Sequence, residues 1–348
     1  MNQLRVCETI APSICVVGAG VVGLTAAVQL QRDYPKSKIT IIADKFESDT
    51  TSYGAAGVFR PMLYKLKGNS YIEFSEWVKD SWHFFSTLAR SADACDAGCE
   101  VIAGYEFYNK VHDASELDAT IFSREKISDK EMSMFGGPKH LCGYRTMNVL
   151  ASPVRLLSFL TGHFKKRGGT LKQQYLNSLE ELVGKYHVVV NCSGLGAKEL
   201  VGDTRVVPVR GQIIKVDAPW IKTYYYAENH DGSYVYVYPA PDFVVVGGCK
   251  QVGDDDLSVR QNEHDDMWQR ACEAMPSLEK AKKLGDWVGL RPSRAPLRVE
   301  AEVMRFSSGP LRVVHNYGHG GDGIALSYGT SAHAVALVKQ LIRSYSKL

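Results

Sequence analysis

Hydrophobic residues in this chain follow two different rhythms. Short runs of consecutive β-branched residues predict buried parallel strands at 14–17, 38–43 and 187–192. Between residues 205 and 250, apolar residues instead alternate with polar ones. This period of two predicts antiparallel strands at 211–216, 234–238 and 243–247.

A third pattern, with apolar residues three or four positions apart, predicts helices. Such helices are expected at 70–90, 153–167, before Pro276 and at 327–342. An aromatic stripe marks the first of them and predicts a core-facing surface. Because helical and strand-rich stretches interleave, we expect an α/β fold with two discontinuous domains. A Rossmann-type domain is predicted from 1–65, 145–205 and 285–348, and an α+β substrate domain on an antiparallel or mixed sheet from 66–144 and 206–284.

Composition narrows the class of protein. The chain has 348 residues, of which 45% are hydrophobic and 23% charged, as in ordinary globular enzymes. A net charge of +3 is too small to indicate a nucleic-acid or membrane partner. The eight cysteines show no zinc spacing, so no metal site is expected, although Cys95 and Cys99 leave a redox pair as an alternative to buried thiols. The sequence leaves the oligomeric state open.

The first glycine-rich segment, residues 18–23, follows a predicted strand and precedes an apolar helix. Gly18 permits the tight turn, Gly20 allows the backbone to approach a pyrophosphate, and Gly23 lets the helix pack on the strand. The next strand ends in Asp44, where a ribose hydroxyl needs an acceptor and a 2′-phosphate would be repelled. The pattern predicts a dinucleotide other than NADP.

A second glycine-rich segment, residues 318–323, lies near the other end of the chain. Small-residue turns also occur at 49–57 and 193–197. Such turns let backbone N–H groups approach phosphates and a flat ring. Several distant segments that hold one long dinucleotide indicate FAD.

Together these motifs resemble the D-amino-acid oxidase and D-aspartate oxidase family of FAD enzymes. The resemblance covers nearly the whole chain, and its most specific parts are the segments 289–294 and 315–320. It implies FAD held without a covalent bond. The implied FAD-binding residues are Gly18, Ala19, Gly20, Val21, Val22, Gly23, Asp44, Lys45, Thr50, Thr51, Ser52, Gly57, Val58, Leu176, Ser193, Gly194, Arg291, Gly320, Gly321, Asp322, Gly323, Ile324 and Ala325.

The resemblance also implies a reaction. Such enzymes oxidise a D-amino acid to a 2-oxo acid and ammonia, and pass electrons to O₂ to give H₂O₂. By similarity, Arg291 and Tyr236 bind the substrate α-carboxylate, and the Gly321 carbonyl accepts from the amine. Without the resemblance, Arg291 is more typical of a surface cation, and Tyr234 and Tyr238 are typical of core or cross-strand aromatics.

Three basic residues bear on the substrate side chain. Arg60, His230 and Lys250 resemble basic positions that an acidic substrate requires, because a buried second carboxylate needs a cation. We therefore expect a preference for D-aspartate and D-glutamate, while each residue alone also fits a solvated charge. The segment 315–317 and Gly321 resemble the neutral-substrate branch instead, and Asp322, which matches neither branch, would disfavour an acidic substrate if it pointed inward. A D-amino-acid oxidase for neutral or basic substrates, a glycine- or sarcosine-type oxidase and a non-catalytic flavin protein remain alternatives.

The printed sequence closes with Ser346-Lys347-Leu348. A Ser-Lys-Leu tail is the address that the peroxisomal import receptor reads. An oxidase that releases H₂O₂ would benefit from the catalase in that compartment. The sequence therefore predicts a peroxisomal enzyme.

Overall fold

The computed structural model describes residues 11–61, 68–109, 120–134 and 141–345. Its helices are α1 (Val21–Asp33), α2 (Tyr71–Leu88), α3 (Ala94–Ala97), α4 (Asp129–Ser133), α5 (Pro153–Lys166), α6 (Ala197–Leu200), α7 (Gln261–Ala274) and α8 (Gly323–Tyr345). Its strands are β1 (Ile14–Val17), β2 (Ile39–Ala43), β3 (Cys99–Tyr108), β4 (Ser123–Lys126), β5 (Cys142–Ala151), β6 (Thr170–Gln173), β7 (Val188–Asn191), β8 (Val207–Asp217), β9 (Tyr224–Glu228), β10 (Tyr234–Pro239), β11 (Val244–Gly247), β12 (Gln251–Val252), β13 (Lys282–Phe306) and β14 (Gly309–His319).

The predicted parallel strands form one part of a mixed sheet. In the described residues the order there is β14-β7-β1-β2-β6, and each neighbouring pair is parallel. Strands β1, β2 and β7 are buried along their whole length, as their β-branched runs predict. Their carboxyl ends lie at one edge, which is where α/β sheets bind nucleotides.

The other part of the sheet is mainly antiparallel, with the order β4-β5-β3-β9-β10-β11-β8-β13 and with β12 beside β8. Only the β3–β9 pair in this order is parallel within the described chain. Strand β13 joins the two parts, because its first half pairs with β8 and its second half with β14. The predicted α/β class with a mixed sheet is therefore confirmed. The strands of both predicted domains belong to one continuous sheet, so the sheet itself does not mark where one domain ends. The domain boundaries stay a prediction.

The largest hydrophobic core lies between the parallel strands and helices α1, α2, α5 and α8. The predicted aromatic stripe on α2 is part of it, with Phe74, Trp77 and Phe85 almost fully buried. Helix α8 begins at Gly323, four residues before its predicted start. The reason is that a 3₁₀ turn at Gly320–Asp322 leads directly into it, so the glycine segment itself becomes a helix N-terminus.

Across the described residues, no helix is long and apolar enough to cross a membrane. In the same part of the chain, no group of three or more His, Cys, Asp or Glu side chains is arranged to hold a metal ion. The seven cysteines that the structure describes are free thiols, and Cys99 is buried while Cys95 is exposed.

Candidate active site

A cavity of about 1290 Å³ runs from the carboxyl ends of β1 and β2 to the tyrosines of β10. Both glycine-rich segments line it, although some 300 residues of sequence separate them. Every residue predicted for FAD, the α-carboxylate or the substrate side chain borders this cavity, with Gly23 as the exception. The fold thus brings the separate sequence predictions to one place.

The first glycine turn has the geometry that its sequence predicts. Gly18 has a φ of 105°, and a Cβ there would overlap the backbone carbonyl of Cys192. Gly23 packs against the carbonyl of Gly18, as its predicted role in bringing the helix onto the strand requires. Its contact with FAD stays a prediction. Because a Cβ at position 18 or 23 would overlap a backbone carbonyl oxygen, neither position can carry a larger residue in this turn.

The N-terminus of α1 borders the cavity, because Gly20, Val21 and Val22 are among its lining residues. Gly20 is the N-cap residue and supplies no side-chain acceptor. The Val21 N–H donates to the Ser52 hydroxyl at 3.1 Å, which ties the small-residue turn 49–57 to this helix. The remaining N–H groups of the first turn and the helix dipole favour a phosphate.

Two buried polar atoms in the cavity wall test whether a cofactor fits. The Ser193 hydroxyl and the Asn316 side-chain oxygen have no hydrogen-bond partner in the protein. Buried polar atoms are normally satisfied, so an external group is expected to complete them. Ser193 was predicted to bind FAD, whereas Asn316 was missed because it precedes the glycine segment and reads as a strand residue. The wall therefore fits a polar cofactor along its length.

The opposite end of the cavity contains Arg291 and Tyr236. The Arg291 side chain donates from Nη1 to the backbone carbonyl of Arg210 at 3.1 Å. Tyr236 lies on the cavity face of β10, stacked on Tyr238 with ring centroids 4.6 Å apart. Burial raises the pKa of Tyr236 above its usual range, although the nearby charge of Arg291 opposes the shift. Tyr236 therefore stays a hydrogen-bond donor at neutral pH.

Arg60 forms a wall of the same cavity, but it is already paired. Its Nε lies 3.0 Å from Glu106 Oε1, and its Nη2 donates to the Tyr108 hydroxyl at 2.9 Å. The guanidinium also stacks on the Tyr226 ring, 3.6 Å from the centroid. Glu106 is not among the residues that the sequence predicts for the site. The signal that could have found it is an acid between two aromatic residues, Tyr105 and Phe107, in strand β3.

Glu106 is charged despite its burial. Burial opposes the ionised form, but the charge of Arg60 and a hydrogen bond from Tyr108 outweigh it and lower the pKa of this carboxyl. The Tyr224 hydroxyl donates to the other carboxylate oxygen at 2.9 Å, and Arg124 lies 3.9 Å away. Arg60 and Glu106 thus form a buried, hydrogen-bonded ion pair at the cavity wall.

His230 and Lys250 occupy a different environment. Both are exposed residues that border the cavity, whereas the Arg60 side chain is only 13% exposed. His230 lies in the turn between β9 and β10, and Lys250 follows β11. The three basic residues therefore share one cavity, with Arg60 in its wall and the other two at its mouth. Their role as one cluster stays a prediction.

The second glycine segment carries two buried titratable residues. Asp322 is 6% exposed and borders the cavity. The acid that the sequence analysis sets against an acidic substrate therefore lies at the site. His319, which sequence reasoning did not select, contacts the Thr330 hydroxyl through Nε2 at 2.9 Å. Burial lowers the pKa of His319 to about 3, so the imidazole is neutral at physiological pH.

The glycine turns, the dinucleotide edge of the sheet and the arginine–tyrosine pair define a flavoprotein oxidoreductase. A profile for the family described as "FAD dependent oxidoreductase" (DAO) matches residues 13–337. The chain belongs to this family, and FAD is its cofactor.

Relatives and a solved structure agree with this family. The chain is 34% identical to "D-aspartate oxidase" of Homo sapiens, covering 95% of this chain and 96% of the relative. It is 30% identical to "D-amino acid oxidase" of Dugesia ryukyuensis, covering 94% and 98%. The crystal structure of glycine oxidase from Geobacillus kaustophilus matches with a TM-score of 0.74 and 19% identity, covering 94% and 95%. That last likeness establishes the fold alone.

Proposed function

We propose that this protein is an FAD-dependent oxidase that deaminates D-amino acids and prefers D-aspartate and D-glutamate. The observation that carries the proposal is the meeting of Arg291, Tyr236 and Arg60 in one cavity with the dinucleotide turn. Two cationic side chains at one end of a flavin site suit a substrate with two carboxylates. The D-aspartate oxidase relatives support the same preference.

The residues of the cavity position the substrate for the reaction. Arg291 offers two parallel hydrogen bonds to the α-carboxylate, and the protonated Tyr236 hydroxyl donates a third. The Gly321 carbonyl accepts from the amine and holds the Cα hydrogen in place. FAD, when bound, supplies the redox chemistry by accepting a hydride and passing electrons to O₂.

No side chain is assigned as a base for the Cα hydrogen. Tyr236 is kept protonated by burial, and Arg291 is a cation at any physiological pH. The main contribution of the protein is then to position a substrate with a neutral amine over the flavin.

A panel of substrates tests this proposal. The holoenzyme is mixed anaerobically with D-Asp, D-Glu, D-Ala, D-Met, D-Arg or glycine, and bleaching of the flavin absorbance is followed. We expect D-Asp or D-Glu to give a larger kcat/KM than D-Ala, and glycine to be poor. A reaction at least about tenfold faster with D-Ala or D-Met would assign a neutral preference and make Arg60 and Lys250 structural charges.

A preference for neutral or basic D-amino acids is the second candidate. It is favoured by the Arg60–Glu106 pair, because the charge of Arg60 is already compensated within the protein. Asp322, a buried acid at the cavity, points the same way. D-Met and D-Arg in the panel distinguish this candidate from the first.

We also propose that the enzyme acts in peroxisomes, where the import receptor would bind Ser346-Lys347-Leu348. These three residues lie outside the described part of the chain, so the proposal rests on the sequence and on H₂O₂ as a product. A fluorescent protein fused to the N-terminus should give puncta that overlap catalase, and removal of Leu348 should make the signal diffuse. Diffuse signal from the intact fusion would contradict the assignment.

A further inference from the structure

The carboxylate of Glu106 is surrounded by hydrogen-bond donors. Tyr108 donates to Oε2 at 2.6 Å, Tyr224 donates to Oε1 at 2.9 Å, and Arg60 Nε lies 3.0 Å from Oε1. The Glu106 side chain is only 6% exposed and does not border the cavity. Glu106 therefore lies directly behind Arg60, on the side away from the substrate.

Arg60 contacts Glu106 on one side and borders the cavity on the other. Its Nε and Nη2 atoms are engaged by Glu106 and Tyr108, while the side chain also borders the cavity. The face of its guanidinium is fixed by the Tyr226 ring. On the neighbouring strand, Tyr226 pairs directly with Tyr236, so Arg60 lies next to the residues that hold the α-carboxylate. A substrate with a second carboxylate would meet Arg60 from the cavity side.

We propose that Glu106 is the resting counter-ion of Arg60 and that it limits the preference of the site for acidic substrates. The inference rests on the proposed function, since it assigns the same cavity a specificity-determining residue. Glu106 allows Arg60 to be buried before substrate arrives. It also competes with the substrate carboxylate for the charge of Arg60, so that D-amino acids without a second carboxylate remain acceptable.

Removing only the charge of Glu106 separates this role from a structural one. Glu106→Gln keeps the size of the side chain and one acceptor for Arg60 Nε. It leaves a buried cation without its counter-ion, which is unfavourable until an external carboxylate binds. A purely structural role predicts weaker oxidation of all substrates. The counter-ion role predicts that the ratio of kcat/KM for D-Asp to that for D-Ala rises, by about fivefold or more.

Two control variants match this change. Glu106→Asp retains the charge and should leave the ratio near that of the unaltered enzyme. Glu125→Gln makes the same substitution at an exposed carboxylate of the same sheet, which pairs with Arg145 at 2.8 Å. It should alter neither the ratio nor the flavin content.

Thermal unfolding of the holoenzyme gives a readout that does not depend on turnover. Succinate and butyrate have the same number of carbons but two carboxylates and one, respectively. The Glu106→Gln variant should unfold at a lower temperature than the unaltered enzyme. Succinate should raise its unfolding temperature more than butyrate does, and by a larger margin than in the unaltered enzyme. An equal margin in both proteins would overturn the proposal.

Should Glu106→Gln fail to fold, a second comparison decides. Arg60→Gln removes the cation 3.0 Å from Glu106 and leaves Arg124 at 3.9 Å, so the less compensated carboxylate should repel D-Asp. Arg60→Gln with Glu106→Gln removes both charges of the pair. The double variant should then oxidise D-Asp about fivefold faster than the single variant, relative to D-Ala. Equal ratios, or a fall in the ratio for Glu106→Gln, would overturn the counter-ion role. These outcomes are changes in a ratio, so they are independent of which substrate the unaltered enzyme prefers.

Discussion

Gly211 on β8 and Arg291 on β13 lie on neighbouring strands, two positions apart in register, and the guanidinium of Arg291 occupies the space where a side chain at position 211 would lie. A Cβ on Gly211 would overlap Nη1, Nη2 and Cζ of Arg291. The same relationship joins Gly247 to the phenol of Tyr236. The two groups predicted to bind the α-carboxylate are thus each laid across a glycine of the neighbouring strand.

This packing gives a test of the site that leaves both functional side chains in place. Gly211→Ala should displace the guanidinium of Arg291 and lower kcat/KM for every D-amino acid by about tenfold or more, because small displacements of positioning groups are costly. FAD content should be retained, since position 211 lies on β8, whereas the dinucleotide turn follows β1, three strands further along the sheet than the neighbouring β13. Steady-state rates and the flavin absorbance ratio measure the two effects.

The matched control is Gly162→Ala on α5. A Cβ at that position meets nothing within 4 Å, so the same substitution should leave kcat/KM unchanged. Comparable losses in both variants would mean that the contact between Gly211 and Arg291 does not position the guanidinium.

Arg291→Ala removes the predicted α-carboxylate anchor itself. Loss of one partner of a desolvated charge pair costs about 3–5 kcal/mol, so kcat/KM should fall by about a hundredfold or more. Arg291→Lys should recover only part of this loss, because an ammonium does not offer two parallel hydrogen bonds. A change smaller than about fivefold in Arg291→Ala would mean that the carboxylate binds elsewhere.

Gly20 tests the cofactor end of the cavity. A Cβ at this position already lies 3.1 Å from the Ser52 hydroxyl, so the larger side chain of Gly20→Val should fill the approach of the pyrophosphate. The variant is expected to purify without yellow colour. In the unaltered protein, acid or heat should release all of the flavin, because the predicted binding is non-covalent. Full flavin occupancy in Gly20→Val would show that the phosphates bind elsewhere.

The turn at Gly18 could be predicted from the sequence, since a tight turn before a helix is a local backbone requirement. The roles predicted for Tyr236 and Arg291 came only from the family resemblance, because these residues lie far apart in the chain, on β10 and β13. The sequence offers only a hint of Glu106, as an acid between aromatic residues of β3. What surrounds it depends on the pairing of β3 with β9, a contact between distant segments that no local pattern encodes.

The environment of a charged residue is likewise hidden in the sequence. Arg60, His230 and Lys250 look alike there as basic residues, yet the Arg60 side chain is 13% exposed and paired with Glu106, whereas His230 and Lys250 are exposed. Burial and counter-ions decide what a charge can do, and both are tertiary properties. His319 was missed for the same reason, because its burial and its contact with Thr330 of α8 are tertiary properties.

His319 makes the acid stability of the protein testable. Burial lowers its pKa to about 3 in the folded state, whereas an unfolded histidine titrates near 6.5. Between these values the unfolded chain binds one more proton than the folded protein does at this site. The free energy of unfolding should therefore fall by about 1.4 kcal/mol for each pH unit as the pH drops from 6.5 toward 3, from His319 alone.

Replacing this histidine should flatten that dependence. Urea unfolding of His319→Gln between pH 4.5 and 7 should show a smaller slope of the free energy of unfolding against pH than the unaltered protein, with FAD in equal excess. His83→Gln, at an exposed position on α2, should keep the full slope. An unchanged slope in His319→Gln would mean that the buried imidazole is not the group whose protonation opposes folding. The loss of stability at low pH would then come from other residues, such as the buried His315, whose pKa burial also lowers.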